Sequence, residues 1–438
     1  MKKRVLLWAI SLSATALHAQ ERFTLQAAQD YAMEHAYGVQ IAELEIARAK
    51  QIFRQNLAVG LPQASAGGQY AYNLELGGFV ADMNGDGVLE TLVFGTDYQA
   101  QGNLTVSQLV FNGSYIVGLM AAEVLKEGAE LGLKKSKAEL KRDVAKAYNL
   151  ALLSEASVDV LAKNETLLKD LTQELKRLNE VGFISKADAD QMELNYNTVK
   201  NALVYAQGQA KVAKMLLKVR MGFPVDAPVQ LMDGLDDLTT KAFADSYLTT
   251  TSFDAAQTLD YMQLANQVRG AELQVKNRYM EFLPTLGVSY QNNVQYMSPE
   301  ANIFGSSAVE VPSSLVGASI NVPLWSSGRG TAALQEAKIQ RDQAKIGLEQ
   351  LEQGLQMQYA SLQVEYHQSV LNYLAEKENV ELAQRIRDQR QKEFTAGVGS
   401  SSDLTQSETQ YQQSLQRMFA AAQKALDQQA ELIYLFSK

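Results

Sequence analysis

The sequence predicts a mixed, mainly α fold made of two internal repeats, each joining two long amphipathic β-strands to very long helices. Three observations carry this prediction. The first is duplication. Leu61-Pro62 opens an alternating segment that closes at Phe111-Asn112-Gly113, and Leu283-Pro284 opens another that closes at Trp325-Ser326-Ser327-Gly328. Downstream, Gly182, Ser185, Asp188, Glu193 and Tyr196 recur as Gly397, Ser400, Asp403, Glu408 and Tyr411 at one offset of 215 residues. A repeat this long is one structural unit used twice, not a solenoid of short modules. The second observation is proline placement. Pro62, Pro224, Pro228, Pro284, Pro299, Pro312 and Pro323 are the seven prolines, and none falls between 63 and 223 or after 323. An interior proline costs a helix about 3 kcal/mol, so these gaps admit helices of unusual length. The third is period-two alternation of apolar and polar residues in four segments.

In chain order, Lys2-Lys3-Arg4 followed by the apolar stretch from Val5 to Leu17 predicts a signal peptide over residues 1–19. Cleavage is expected after Ala19, with Ala14-Thr15-Ala16 as a second option. The first repeat, 20–221, reads as a helix over 24–59 capped by Thr24, two strands, a long helix over 114–181, a turn and a helix over 187–221. Residues 222–252 form a linker containing Pro224, Pro228 and an acidic patch from Asp233 to Asp237. The second repeat, 253–438, reads as a helix over 253–282, two strands, a long helix over 329–396, a turn and a helix over 402–436. At 1.5 Å per residue each long helix reaches about 100 Å. Leu161, Leu168 and Leu175 in one, and Leu348, Leu355 and Leu362 in the other, keep the seven-residue spacing of side-by-side coiled packing.

The strands alternate cleanly. Ala64, Ala66, Gly68, Tyr70, Tyr72, Leu74 and Leu76 oppose Gln63, Ser65, Gln69, Asn73 and Glu75. In 98–111, Tyr98, Leu104, Val106 and Val110 oppose Gln99, Gln101, Asn103, Thr105 and Ser107. In 285–296, Leu286, Val288, Tyr290, Val294 and Tyr296 oppose Thr285, Ser289, Gln291, Asn293 and Gln295. In 314–324, Val316, Ala318, Ile320, Val322 and Leu324 oppose Gly317, Ser319 and Asn321. A half-buried soluble sheet alternates in this way, and so do outer-membrane barrel strands, apolar toward lipid and polar toward the lumen. Strand length and tyrosines near strand ends favour the barrel. Four strands cannot close one, since bacterial barrels start at about eight, so the chain is expected to oligomerise.

Composition excludes other classes. A net charge of −9 without a basic stripe argues against nucleic acid. The chain has no cysteine, which removes disulfides and thiolate metal sites. His18, His35 and His367 are isolated, and no nucleophile elbow, phosphate loop or paired-histidine motif is present. No enzyme activity and no cofactor are therefore expected. Beyond the signal, no segment offers about eighteen apolar residues in a row, so any membrane insertion must be through strands. In the loop 82–90, Asp82, Asn84 and Asp86 resemble the first ligands of a calcium loop, but its twelfth position is Val93 where a bidentate Glu is needed. The other reading of this stretch is a solvated turn between the first two strands.

Taken together, the paired Leu-Pro strand starts, the strand ends at 111–113 and 325–328, and the turns at 181–188 and 396–403 resemble the TolC-type outer-membrane efflux proteins over residues 24–437. The resemblance implies a homotrimer in which four strands per chain build one twelve-stranded β-barrel in outer-membrane lipid. A long periplasmic α-helical barrel continues it, with the linker in a mixed region at its equator. It implies a passive channel for substrates handed on by an inner-membrane pump, of the RND or ABC type, and a periplasmic adaptor (membrane fusion protein). In that family the two helix turns form the closed inner tip. There Asp403 matches the first aspartate of a constriction ring, and Asp188 is its partner in the first repeat. Gln406 stands where members carry a second aspartate, and Gly399 where they carry a gate arginine. Gly182, Phe183, Ser185, Gly397, Val398 and Ser400 would face the adaptor or pump. Independently of the family, symmetry-related carboxylates in a narrow pore repel anions and titrate as a group, while either aspartate can instead cap its outgoing helix. The rival reading is a periplasmic coiled-coil adaptor or scaffold. Such proteins have one helical hairpin flanked by small β domains, whereas this chain has two hairpins and four amphipathic strands.

Overall fold

The computed structural model describes residues 21–82, 85, 87, 89–244 and 252–437. The expected signal peptide lies outside them. The elements run β1 (Glu21–Phe23), α1 (Leu25–His35), α2 (Tyr37–Val59), β2 (Gln63–Tyr72), β3 (Gly78–Ala81), β4 (Glu90–Val93), β5 (Tyr98–Phe111), α3 (Gly113–Glu180) and α4 (Lys186–Met221). They continue as β6 (Val229–Leu231), α5 (Leu235–Ala244), α6 (Leu259–Met280), β7 (Thr285–Ser298), β8 (Val309–Asn321), α7 (Arg329–Thr395) and α8 (Ser401–Leu435). The proline-free gaps contain α3 and α7, of 68 and 67 residues.

Three boundaries differ from the sequence reading. The helix expected over 24–59 is broken at Ala36, which adopts an extended conformation. Gly222 explains the break: its left-handed backbone caps α4 and seats on residues 35–36, where a Cβ would collide with the His35 carbonyl. The first strand stops at Tyr72 instead of Leu76, because residues 78–93 form their own hairpin, β3–β4. Gly77-Gly78 reads as a turn in sequence, and the hairpin becomes visible only through the stacking of Phe79 on Phe94 at 5.1 Å. The helix expected from 253 begins at Leu259, after a short 3-10 turn capped by Asp254.

The chain divides into two compact units, each drawing on both halves of the sequence. The first comprises Met1–Leu44, Leu131–Met262 and Gln350–Lys438. Here β1 and β6 pair in parallel, with Phe23 opposite Leu231. Thr24 caps α1 as expected, accepting from Ala27 N–H at 3.2 Å. Tyr148, Leu217 and Met221 are fully buried and pack with Phe23, Ala32 and Leu426. Each such side chain withdrawn from water contributes roughly 1.5–3 kcal/mol. The Asp233 carboxylate accepts from Leu25 N–H at 2.7 Å and Tyr148 O–H at 2.8 Å. The acidic patch of the linker thus ties the N-terminal strand to α3. Both leucine heptads point into cores: Leu168 and Leu175 pack with Met192, Val199 and Leu404, and Leu355 packs with Leu435.

The second unit comprises Glu45–Glu130 and Gln263–Glu349. Its centre is a four-stranded antiparallel sheet of order β2-β5-β7-β8. One bulge interrupts the register between Leu109 and Phe111. Pro312 lies in β8, at the sheet edge, where a missing N–H breaks no inner ladder.

Candidate functional site

Two regions carry the chemistry, and each is built from its own unit. The first is the sheet. Directly opposed residues on neighbouring strands point to the same face, so the register decides whether four separately alternating strands agree. They do. Ala64, Val106, Tyr290 and Val316 form one row, and Gly68, Gly102, Val294 and Pro312 another. The opposite face aligns Ser65, Thr105 and Gln291, then Gly67, Asn103, Asn293 and Ser313, then Gln69, Gln101 and Gln295. One face is apolar and the other is a ladder of amides and hydroxyls. Leu315 and Val311 are apolar intrusions on the polar face, both on the edge strand β8. The apolar face has one inner polar exception, Asn292, which the sequence reading missed. Its amide donates to Ser314 on the next strand at 2.8 Å, so the pair satisfies itself. Tyr72 stacks on Tyr98 at 4.7 Å near the strand ends.

The second region is the pair of helix turns in the first unit. At the end of α3, Gly182 adopts φ +83°. Phe183 N–H reaches Leu178 O at 2.9 Å and Gly182 N–H reaches Asn179 O at 3.0 Å. At the end of α7, Gly397 adopts φ +74°, with Val398 N–H to Glu393 O and Gly397 N–H to Phe394 O, both at 3.0 Å. Both are Schellman caps, which need a left-handed residue at this position. Phe183 and Val398, the next residue in each turn, are 79% and 80% exposed. Each turn therefore presents one bare apolar side chain. Gly399 is held close: its N–H also donates to Glu393 O at 3.0 Å, and a Cβ would sit 3.0 Å from Phe394 N. An arginine at this position would have to shift the turn.

The aspartates do not cap the outgoing helices by their side chains. The caps are Ser185 and Ser400, whose hydroxyls accept from the N–H groups of Asp188 and Asp403 at 3.1 Å each. This is the serine half of a capping box, with Asp three residues on. From that shared geometry the two copies diverge. The Asp188 carboxylate is half-buried and accepts from Ser185 O–H at 2.6 Å and from Ser401 O–H on α8. The Ser185 bond, then the Ser401 bond, hold Asp188 below the usual carboxylate range. Asp403 and Gln406 are exposed on the outgoing second helix. Asp188 therefore meets Ser401, not Asp403.

Two more bonds missed by sequence reasoning follow the same seam. Asn195 donates to Thr405 at 3.0 Å, and Asn164 donates to Glu408, which also accepts from Gln412 at 2.9 Å. Ser401, Thr405 and Glu408 fall at i, i+4 and i+7, one face of α8. That spacing was the available signal. The repeat partner of Glu408, Glu193, instead pairs with Lys176 at 2.7 Å within its own hairpin.

In the loop read for calcium, the Asp82 carboxylate accepts from Gly85 and Gly87 N–H groups at 2.8 and 2.9 Å. Asn84 and Asp86 lie outside the described residues. Among the described residues, no cluster of three or more His, Asp or Glu side chains could hold a metal ion, and no helix is long and apolar enough to cross a membrane.

No protein-family model matches the sequence, and no curated protein matches it. Solved structures do match in fold. CusC, described in terms of folding and transmembrane channel formation, is 15% identical, with 94% of this chain and 92% of that chain covered at a TM-score of 0.73. The CmeC outer-membrane channel of Campylobacter jejuni is 13% identical, with 94% and 85% covered at 0.71. The MtrE outer-membrane channel of Neisseria gonorrhoeae, in its open state, is 17% identical, with 94% and 88% covered at 0.66. The chain has the TolC-type outer-membrane-factor fold.

Proposed function

We propose that this chain is the outer-membrane channel of a tripartite efflux or secretion system, conducting substrates passively from a periplasmic adaptor and inner-membrane pump to the cell exterior. The observation that carries this reading is the sheet. One apolar face and one amide-rich face, in register across all four strands, suit hydrocarbon on one side and water on the other. β2 and β8 each keep one edge without a strand partner among the described residues. An open edge is not tolerated against lipid, so the sheet needs further copies. Three copies joined edge to edge make a closed barrel of twelve strands, which matches the family pattern and the channels of similar fold. Exposed heptad stripes support the same assembly: Tyr205, Val212 and Val219 on α4, and Met357, Val364 and Leu371 on α7. Side-by-side helices of neighbouring copies would cover them.

In this reading the helix turns form the periplasmic tip. Phe183 and Val398 are the apolar contacts offered to the adaptor or pump. Asp403, exposed and copied threefold, lines the constriction with Gln406, while Asp188 belongs to the seam that ties the two hairpins. The second hairpin, with Gly397 and Gly399 in its turn, is the one that moves. The Gly-rich loop after Asp82 faces the exterior. The adaptor alternative leaves the amphipathic sheet without a role.

Fractionation and conductance test the proposal. The mature protein should require detergent for extraction, migrate as a trimer after cross-linking, and conduct in planar bilayers. Asp403→Ala should raise single-channel conductance. Recovery in the aqueous fraction without detergent would overturn the channel reading, and unchanged conductance would remove Asp403 from the constriction.

A further inference from the structure

A cleft of about 690 Å³ opens in the first unit, lined by residues of α1, α3, α5 and α8. Asn149 lines it, only 3% exposed, and its side-chain oxygen has no hydrogen-bond partner. A buried acceptor left unpaired is costly, so something should donate to it.

Most other polar groups of the cleft are committed. Asp233 holds Leu25 N–H and Tyr148 O–H. Gln29 donates to Lys141 O and Gln429 to Ala242 O, both at 2.9 Å. The Arg142 guanidinium is paired with Asp143 at 2.9 Å and lies 4.6 Å over the Tyr434 ring. What remains is the Asn149 oxygen, the carboxylate of Asp237 in the first turn of α5, and the exposed Lys141. Leu238, Leu426 and Ile433 supply an apolar wall. The volume falls within the range of small-molecule sites, about 300–1,000 Å³. Water alone would satisfy Asn149 but would leave that wall wetted.

We propose that this cleft binds a small organic amine carrying an apolar body. Its ammonium donates to the Asn149 oxygen, its charge is balanced by Asp237, and its body lies against Leu238, Leu426 and Ile433. This is a site on the helical part of the chain, distinct from the proposed conduit and its constriction.

Phenethylamine titrated into the purified full-length protein in detergent, followed by calorimetry, tests it. Saturable binding of one molecule per chain is expected, with a Kd below about 1 mM. Phenylacetate, which has the same ring but the opposite charge, should not bind. Asn149→Leu should weaken phenethylamine about 10-fold, the loss of one buried hydrogen bond. Asp237→Asn, at an exposed position, should weaken it about 3-fold, and it keeps the test open should Asn149→Leu fail to fold. Absence of saturable heat, equal binding of phenylacetate, or undiminished binding in the folded variants would each overturn the proposal.

Discussion

Replacing Gly182 with alanine isolates the backbone cost of the first helix turn. Its φ of +83° is left-handed, and a Cβ built there meets nothing within 4 Å. Steric collision is thus absent, and the expected cost is torsional, about 1–2 kcal/mol for an L-residue in this region. Valine should cost more, because a branched Cβ is a true outlier at positive φ. The strain acts on the Schellman bonds, Phe183 N–H to Leu178 O and Gly182 N–H to Asn179 O. Local opening of the tip should therefore rise about 5- to 30-fold, the ratio that 1–2 kcal/mol commands. Hydrogen exchange read by mass spectrometry on peptides spanning 176–190 measures this. Gly397→Ala, at φ +74° with equally open surroundings, should behave alike in peptides spanning 391–405. Gly132 is the control: it sits inside α3 without a left-handed φ and with open space around its Cβ position. Gly132→Ala should slow local exchange, since glycine in a helix interior costs about 0.5–1 kcal/mol relative to alanine. If Gly182→Ala leaves tip exchange within twofold of the parent, the left-handed requirement is not what shapes the turn.

Three further outcomes are expected. A double-mutant cycle between Asp188→Ala and Ser401→Ala should give a coupling of about 1 kcal/mol, below the 1.5–3 of a buried charge-assisted bond because the site is half-exposed; tip hydrogen exchange reads it, and additive effects would mean the two do not interact. Tyr148→Phe should destabilise by about 1.5–3 kcal/mol in thermal unfolding, since it strips the fully buried bond to Asp233. Asp427 is pushed up from 3.8 to about 6, chiefly by burial, partly offset by Lys146. The folded state then holds a proton that the unfolded state releases between about pH 4 and 6, so this group's contribution to stability declines as pH rises through that window. Asp427→Asn should be the more stable protein at pH 7 by about 1–2 kcal/mol after discounting for solvent screening, and the gain should vanish near pH 4. A pH-independent gain would assign the effect to packing.

Much of this architecture is legible in one dimension because its signals are local and periodic. The 68- and 67-residue helices follow from proline-free runs, and their observed ends lie within a residue of those read from the turns. The strands follow from alternation, and the left-handed glycines from their place after a helix. Misplaced features depend on contacts between distant segments. The break at Ala36 exists because Gly222 seats on it, and the hairpin over 78–93 because Phe79 finds Phe94. Asp188 read as an equal of Asp403, since the two turns match residue for residue. Which one is bonded and which is exposed depends on Ser401, more than two hundred residues away from Asp188.

By itself, then, the sequence determined the kinds of elements, their order, their lengths and the two faces of every strand. Those properties depend on backbone sterics and on side-chain spacing of 2.0 or 3.6 residues, which a linear chain records directly. Only the tertiary structure decided that the four strands share one register with their apolar faces together, and that the seam between the hairpins runs through Asp188, Asn195 and Glu408. It alone left the side-chain oxygen of Asn149 buried and unpaired. Register and cross-helix pairing are relations between residues far apart in the chain, fixed by which surfaces pack, and no local period encodes them.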